Sequence, residues 1–310
     1  MYQENIPSTI EQDIQTMIPK LWNMEKWTRN DLPCNNPCSL MRKNIETLSR
    51  NKYMVGAKAD GVRAFMLFSF TEESDQDYVA MVDRAGKGRV WNHIRAASEL
   101  YSGTLLDGEI LEHKDGTITY FVFDIIAISG YTMVNKSHTT RRGEIKRVLS
   151  QIHRAPNNLE IREKEWFPYE DVNYDSITHS IYPHPCDGFI FVPENGRTLA
   201  PGKQLDHFKW KRAEDHTIDF CFYNGDLFVE DRGNPVDVTT MDIEGFKNNN
   251  DDPIRDGTII ECQMKPVDNN KWEAIFVRKR PDKTHPNDLR VALLTLQNVR
   301  EDIQLEELMV

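Results

Sequence analysis

A chain of 310 residues with 39% hydrophobic and 28% charged side chains can bury a sizeable core, and its length suits two ordinary domains better than one. Its net charge of −11 excludes indiscriminate binding to nucleic acid, which rests on neutralising many phosphates with Lys and Arg. The five cysteines are too dispersed for a disulfide framework and Cys34 and Cys38 lack a second ligand pair for zinc, so reduced thiols in a nuclear or cytoplasmic compartment are expected; with neither a secretory leader nor ~18 apolar residues in a row, secretion and membrane insertion are not.

Residues 1–50 mix polar and apolar positions, carry prolines at 7, 19, 33 and 37, and show no long period. A helix or two over 10–27 is expected there, with no chemistry assigned. From Lys52 the pattern changes to short runs rich in β-branched and aromatic residues, at 53–57, 62–70, 78–83, 104–112 and 117–126. Their spacing, broken by glycine and by an acidic turn at 72–77, predicts antiparallel sheet rather than alternating βαβ units. Ile145, Val148, Leu149 and Ile152 share one face of a helix over 139–152. Strands at 188–193 and 204–211 complete a first domain spanning 1–212, and the charged joint Arg212-Ala213-Glu214-Asp215 is the expected hinge. Turn-linked strands at 217–223, 227–229, 258–262 and 272–278 then suit a small barrel. A solvated loop at 248–252 and terminal helices at 291–299 and 303–309 complete a second domain over 213–310. The fold class is α+β: an antiparallel-sheet domain followed by a C-terminal β-barrel.

The run Lys58-Ala59-Asp60-Gly61-Val62-Arg63 offers an amine at the end of a strand, beside a carboxylate, a turn glycine and a second cation. Alone, Lys-x-Asp-Gly arises by chance in roughly one chain of this length in fifteen. It is followed in fixed order by Val82-Asp83-Arg84, Leu106-Asp107-Gly108-Glu109, Tyr120-Phe121-Val122-Phe123-Asp124, Cys186-Asp187-Gly188-Phe189-Ile190-Phe191, His207-Phe208-Lys209-Trp210-Lys211 and Arg278-Lys279-Arg280-Pro281-Asp282-Lys283. Together these resemble the covalent nucleotidyltransferase superfamily of mRNA capping enzymes and ATP-dependent polynucleotide ligases. His216-Thr217-Ile218-Asp219-Phe220 and the closing Arg280-to-Asn287 pattern look like the guanylyltransferases rather than the ligases. The compact length and Lys164-Glu165-Trp166 resemble the small capping enzymes of large DNA viruses. The resemblance runs from about Lys52 to the C-terminus and implies a nucleotidyltransferase domain followed by an OB-fold.

A lysine nucleophile must shed its proton, and at an ordinary pKa of ~10.4 only about 0.1% is neutral at pH 7.4. Partial burial and neighbouring cations such as Arg63, Lys209, Lys211 or a metal favour the free amine. The resemblance makes Lys58 that nucleophile; the bland alternative is a surface lysine in a turn. Asp60 is expected to face the nucleotide sugar or the backbone rather than the amine. Arg63, Arg84, Lys209 and Lys211 form the expected cationic cradle for ribose and phosphates, with Lys209 and Lys211 on one face of a strand. A basic strand edge would look the same.

Asp107, Glu109 and Asp187 sit beside glycines at the ends of apolar strands, where carboxylates can hold Mg²⁺ or Mn²⁺ against a triphosphate. Glu109 and Asp187 are the candidates for direct metal or ribose contact, Asp187 the better metal candidate by resemblance, against a plain Asp-Gly turn. The resemblance places the Phe123 ring against guanine, although such a ring is ordinarily core. Stacking does not select a base, so Lys164 is the candidate that reads the guanine O6 acceptor, against a surface lysine. Arg278, Arg280, Asp282 and Lys283 are expected to touch the triphosphate, or else to form a charged loop at the end of the barrel.

The activity implied is transfer of GMP from GTP, through a lysyl-GMP adduct, to the 5′-diphosphate end of RNA. A polynucleotide ligase using ATP and a catalytically inert binding module stay open as alternatives. With no spare domain and no paired Glu-x-Glu-x-Glu strands, the RNA triphosphatase and the cap methyltransferase are expected on other chains, with RNA polymerase a further candidate partner and the host nucleus, cytoplasm or a viral factory the expected location.

Overall fold

The computed structural model describes residues 6–25, 32–71, 76–91, 93–181, 183–196, 199–249, 253–268 and 271–308. The ends of the expected helix over 10–27 and of the last helix at 309, most of the acidic turn and residues 250–252 of the Asn-rich loop lie outside the described residues. The chain divides into two compact units, Met1–Cys38 with Thr47–Lys209, and Ser39–Glu46 with Trp210–Met309.

Through Trp210 the strands are β1 (Asn35–Ser39), β2 (Tyr53–Ala59), β3 (Val62–Thr71), β4 (Gln76–Val82), β5 (Gly88–Val90), β6 (Arg95–Ala96), β7 (Thr104–Glu112), β8 (Ile118–Ile128), β9 (Tyr131–Thr132), β10 (Ile152–Arg154), β11 (Leu159–Glu163), β12 (Phe167–Pro168), β13 (Cys186–Pro193) and β14 (Gly202–Trp210). The helices are α1 (Ser8–Leu21), α2 (Arg42–Arg50), α3 (His138–Ser150) and α4 (Tyr174–His179). One sheet runs β11-β8-β7-β3-β4-β5, with β9 against β8, and a second runs β1-β14-β13-β2-β12.

Alternation along β3 explains why the first sheet is buried on both faces. Phe65 and Leu67 pack with Ile14, Ile18 and Leu21 of α1, which recur at helical spacing. Ala64, Met66 and Phe68 point the other way, into a core shared with Ile145 and Val148 of α3. Ser137 caps α3 by accepting from the Thr140 amide at 3.2 Å.

Two sequence expectations about the strands through Lys211 need correction. The sheet is mixed: β11 runs parallel to β8, a strand at 159–163 that the sequence reading passed over because only Leu159 and Ile161 mark it as apolar. The strand expected to carry both Lys209 and Lys211 stops at Trp210, so Lys211 lies past its end and the shared face is not formed.

The second unit contains β15 (Thr217–Tyr223), β16 (Asp226–Asp231), β17 (Asn234–Asp237), β18 (Ile243–Lys247), β19 (Thr258–Asp268), β20 (Lys271–Lys279) and α5 (Leu289–Glu301), closed by a 3₁₀ turn at Leu305–Leu308. Its sheet runs β17-β16-β15-β19-β20-β18, antiparallel except for β18 on β20. This path is open among the described residues, where a small barrel was expected. Phe220, Ile260, Cys262 and Trp272 form its core with Leu296 and Val299 of α5. Arg42 belongs to this unit, pairing with Glu307 and donating to the Glu301 carbonyl at 2.8 Å.

Candidate active site

A pocket of about 170 Å³ opens within the first unit, lined from β1, β2, β3, β7, β8, β13, β14, α3 and the segment before β12. Lys58 is placed by β2, one residue before its end, and its Nζ donates to Asp187 Oδ2 at 2.5 Å. Asp187 lies at the start of β13, which pairs with β2. The Asp60-Gly61 turn follows: the Gly61 amide donates to Glu109 Oε1 at 3.1 Å, while the Asp60 side chain is exposed and outside the pocket lining. Burial lifts Glu109 above the usual carboxylate range, with the Lys164 and Lys58 ammonium groups pulling it back.

Arg63 meets Asp107 in a two-point ion pair, Nε to Oδ1 at 3.0 Å and Nη2 to Oδ2 at 2.5 Å. Asp107 is fully buried and spends both oxygens on that pair, so its part is to hold Arg63. The guanidinium stands 5.2 Å from the centroid of the half-buried Phe123 ring. Lys164 also faces that ring, at 5.7 Å, and lies 4.8 Å from the ring of Trp166. Lys164 is only 6% exposed. Burial pushes its ammonium down to about 8, against the pull of Glu109 and with the help of Lys58. The pocket thus combines an amine, a half-buried aromatic ring, a buried cation and carboxylates.

Asp124, also in the pocket wall, follows Phe123 on β8 and accepts two hydrogen bonds from Arg141, at 2.7 and 2.8 Å. Burial alone would raise Asp124, but Arg141 outweighs it and holds the carboxyl below its ordinary range. His138, pushed by burial down to about 3 and therefore neutral, packs its ring edge-to-face on Trp166 at 5.0 Å.

Of the expected cradle, Arg63 and Lys209 line the pocket and Arg84 does not; Arg84 sits in an exposed turn between β4 and β5. In the second unit, Arg280 donates to Asp219 Oδ1 at 3.1 Å and to Asp282 at 3.0 and 2.8 Å, and Lys283 pairs with Asp219 Oδ2. Arg278 pairs with Glu261 at 2.6 Å. The Asp219 backbone is tied to Asn287 by two hydrogen bonds, at 2.9 and 2.8 Å. The two motifs that read as separate in sequence form one knot.

The family model for the mRNA capping enzyme catalytic domain matches residues 2–213, and that for the mRNA capping enzyme C-terminal domain matches 205–309. The chain belongs to the mRNA capping enzyme family. An mRNA-capping enzyme of Danio rerio is 29% identical over 94% of this chain, which spans about half, 51%, of that protein. The mRNA-capping enzyme subunit alpha of Saccharomyces cerevisiae is 24% identical over 97% of this chain and 83% of its own length. Among solved structures, a mycobacterial DNA ligase D complexed with ATP overlaps 80% of this chain and 95% of its own, at 11% identity and a TM-score of 0.44.

For a capping-family pocket, the sequence reading missed residues with no motif to mark them. Asn35 and Pro37 enter from the first fifty residues and His138 forms part of the wall, as does Trp166, which was quoted with Lys164 but given no role. Gly56 matters through what it lacks: a Cβ there would lie 2.9 Å from both Lys164 Cε and Trp166 Cε3. The one available signal was the glycine itself, two residues before the lysine in an otherwise apolar strand.

Proposed function

We propose that this chain is an mRNA guanylyltransferase. The observation that carries the reading is the convergence, in one pocket, of Lys58 with the Phe123 ring and the buried Lys164. Lys58 Nζ attacks the α-phosphorus of GTP, a P–N bond forms, the bond to the β-phosphate breaks and pyrophosphate leaves. The terminal phosphate oxygen of a 5′-diphosphate RNA then attacks the same phosphorus, and the P–N bond breaks to give the GpppN cap and free Lys58. The amine must part from Asp187 before it attacks. Phe123 stacks on guanine, Lys164 donates to O6, and Arg63, Lys209 and Lys211 hold ribose and phosphates. Arg278, Arg280, Asp282 and Lys283 act on the β- and γ-phosphates in the first half-reaction.

Glu109 and Asp187 offer the oxygen donors that Mg²⁺ or Mn²⁺ prefer, and no set of three or more His, Cys, Asp or Glu ligands exists among the described residues. Triphosphate oxygens and water would complete such a shell, as is usual for Mg²⁺. The ion would offset charge on the α-phosphate and the departing pyrophosphate.

Residues 1–212 would then form the catalytic domain and 213–310 an OB-type domain, a partly open barrel in its usual form. Triphosphatase and methyltransferase activities would come from other chains, in the nucleus or cytoplasm. Incubation of the protein with α-labelled GTP or ATP and Mg²⁺, followed by denaturing electrophoresis, tests the reading. Label from GTP supports it; label from ATP alone assigns the chain to ligase chemistry, and label from neither leaves an inert binding module.

A further inference from the structure

Arg63 is held from two sides. Asp107 takes Nε and one Nη2 hydrogen, and Asn35 takes the rest of the outer edge: its carbonyl accepts from Nη1 and its side-chain Oδ1 accepts from Nη2 at 2.6 Å. A guanidinium has five N–H donors in a rigid fork. Four are therefore committed within the protein, and one on Nη1 remains.

Asn35 is 9% exposed, opens β1 and lines the same pocket. An amide oxygen that must face a guanidinium leaves no choice in how the side chain is turned. Asp107 alone would fix one edge of the fork and leave the other edge free to swing about that pair. With Asn35 in place the plane is set, 5.2 Å from the Phe123 ring.

We infer that Asn35 is a positioning residue for nucleotide binding, acting through Arg63. Resting on the reading that the pocket takes a nucleotide, it gives the N-terminal segment a part in the site. A cation fixed in this way meets the nucleotide equally in the ground state and the transition state, so its loss is felt in binding rather than in the chemical step.

The test is the kinetics of adduct formation in four full-length proteins: wild type, Asn35→Ala, Arg63→Ala and the double variant, with Asn35→Asp as the conservative control. Asn35→Ala should raise KM for GTP on the order of tenfold, as for loss of one hydrogen bond to a charged group, with kcat nearly unchanged. Asn35→Asp keeps the acceptor and should restore KM. In the Arg63→Ala background, Asn35→Ala should add nothing, because the coupling runs through that guanidinium. An unchanged KM in Asn35→Ala, an equal loss in both backgrounds, or an Asn35→Asp protein as defective as Asn35→Ala would overturn the assignment. If the wild type labels with ATP and not GTP, the guanylyltransferase reading fails, and the same comparison made with ATP still decides the role of Asn35.

Discussion

Lys58 Nζ and Asp187 Oδ2 are joined by a 2.5 Å hydrogen bond. While that ion pair stands, the amine has no lone pair to offer, so binding of the substrate must break it. Asp187→Asn removes the ion pair but also removes a carboxylate from the group that would hold a divalent ion. The second effect should dominate: adduct formation should fall roughly 100-fold or more, the scale of losing one electrostatic contact to the reacting centre. Chelation of divalent ions should abolish labelling of the wild type. A rate for Asp187→Asn equal to wild type would remove Asp187 from the chemistry.

Lys164 gives the site a pH signature. Its ammonium is held down to about 8 by burial, so it is charged below that pH and neutral above it. The preference for GTP over ATP should therefore be strongest near neutrality and decline as pH rises through about 8, and Lys164→Ala should lack it throughout. The stability sign runs the other way: the unfolded chain keeps this proton to a lysine's ordinary ~10.4, so stability rises with pH between the two values. Labelling ratios for GTP and ATP measured across that interval check the first claim; a flat ratio would contradict it.

Asp219 neutralises both Arg280 and Lys283 while only 5% exposed. Asp219→Ala should strip Lys283 of its carboxylate, leave Arg280 to Asp282 and Glu261 alone, and slow formation of the GMP adduct severely. Transfer from an adduct already made should be spared, since the β- and γ-phosphates are gone by then. The adduct is prepared at high enzyme, freed of GTP and chased with 5′-diphosphate RNA. An Asp219→Ala protein that loads normally but cannot pass GMP on would place this segment in RNA binding.

The Asp124–Arg141 pair supports the strand that carries Phe123. Both partners are almost fully buried, at 6% and 1% exposure, so Arg141→Ala should cost about 3–5 kcal/mol by leaving an uncompensated carboxylate, whereas a joint apolar replacement should cost far less. Because the folded pKa of Asp124 is depressed, its contribution is complete above a carboxylate's ordinary ~3.9 and lost as pH falls through the folded value. Urea denaturation of the three proteins near neutral pH checks the energies. A double variant no more stable than Arg141→Ala would contradict the account.

What was legible in the sequence was what local pattern controls. The strands around Lys58, Glu109 and Phe123 announce themselves by apolar runs ending in turn residues, and the helix over 139–152 by its period; α3 spans His138–Ser150. Long-range pairing left no such trace. Nothing local says that Asn35 meets Arg63, that Asp107 is spent on the same arginine, or that Asp219 binds Arg280 and Lys283. Glycine at 56 reads as a weak point in a strand until the side chains packed over it are known. Asp60 shares a motif with the pocket residues Lys58 and Arg63, and Arg84 closes another of the ordered motifs, yet both fall in exposed turns.

The central claim is that Lys58 carries the nucleotide as a phosphoramide, and the most direct measurement is mass spectrometry of the protein after incubation with GTP and Mg²⁺. The account predicts an added GMP on the peptide containing Lys58, labile to acid and stable to alkali, and none in Lys58→Ala. Lys58→Arg should also fail, because a guanidinium keeps its proton to a pKa above ~12 and offers no free amine. GMP found on any other residue, or an adduct that persists in either variant, would contradict it.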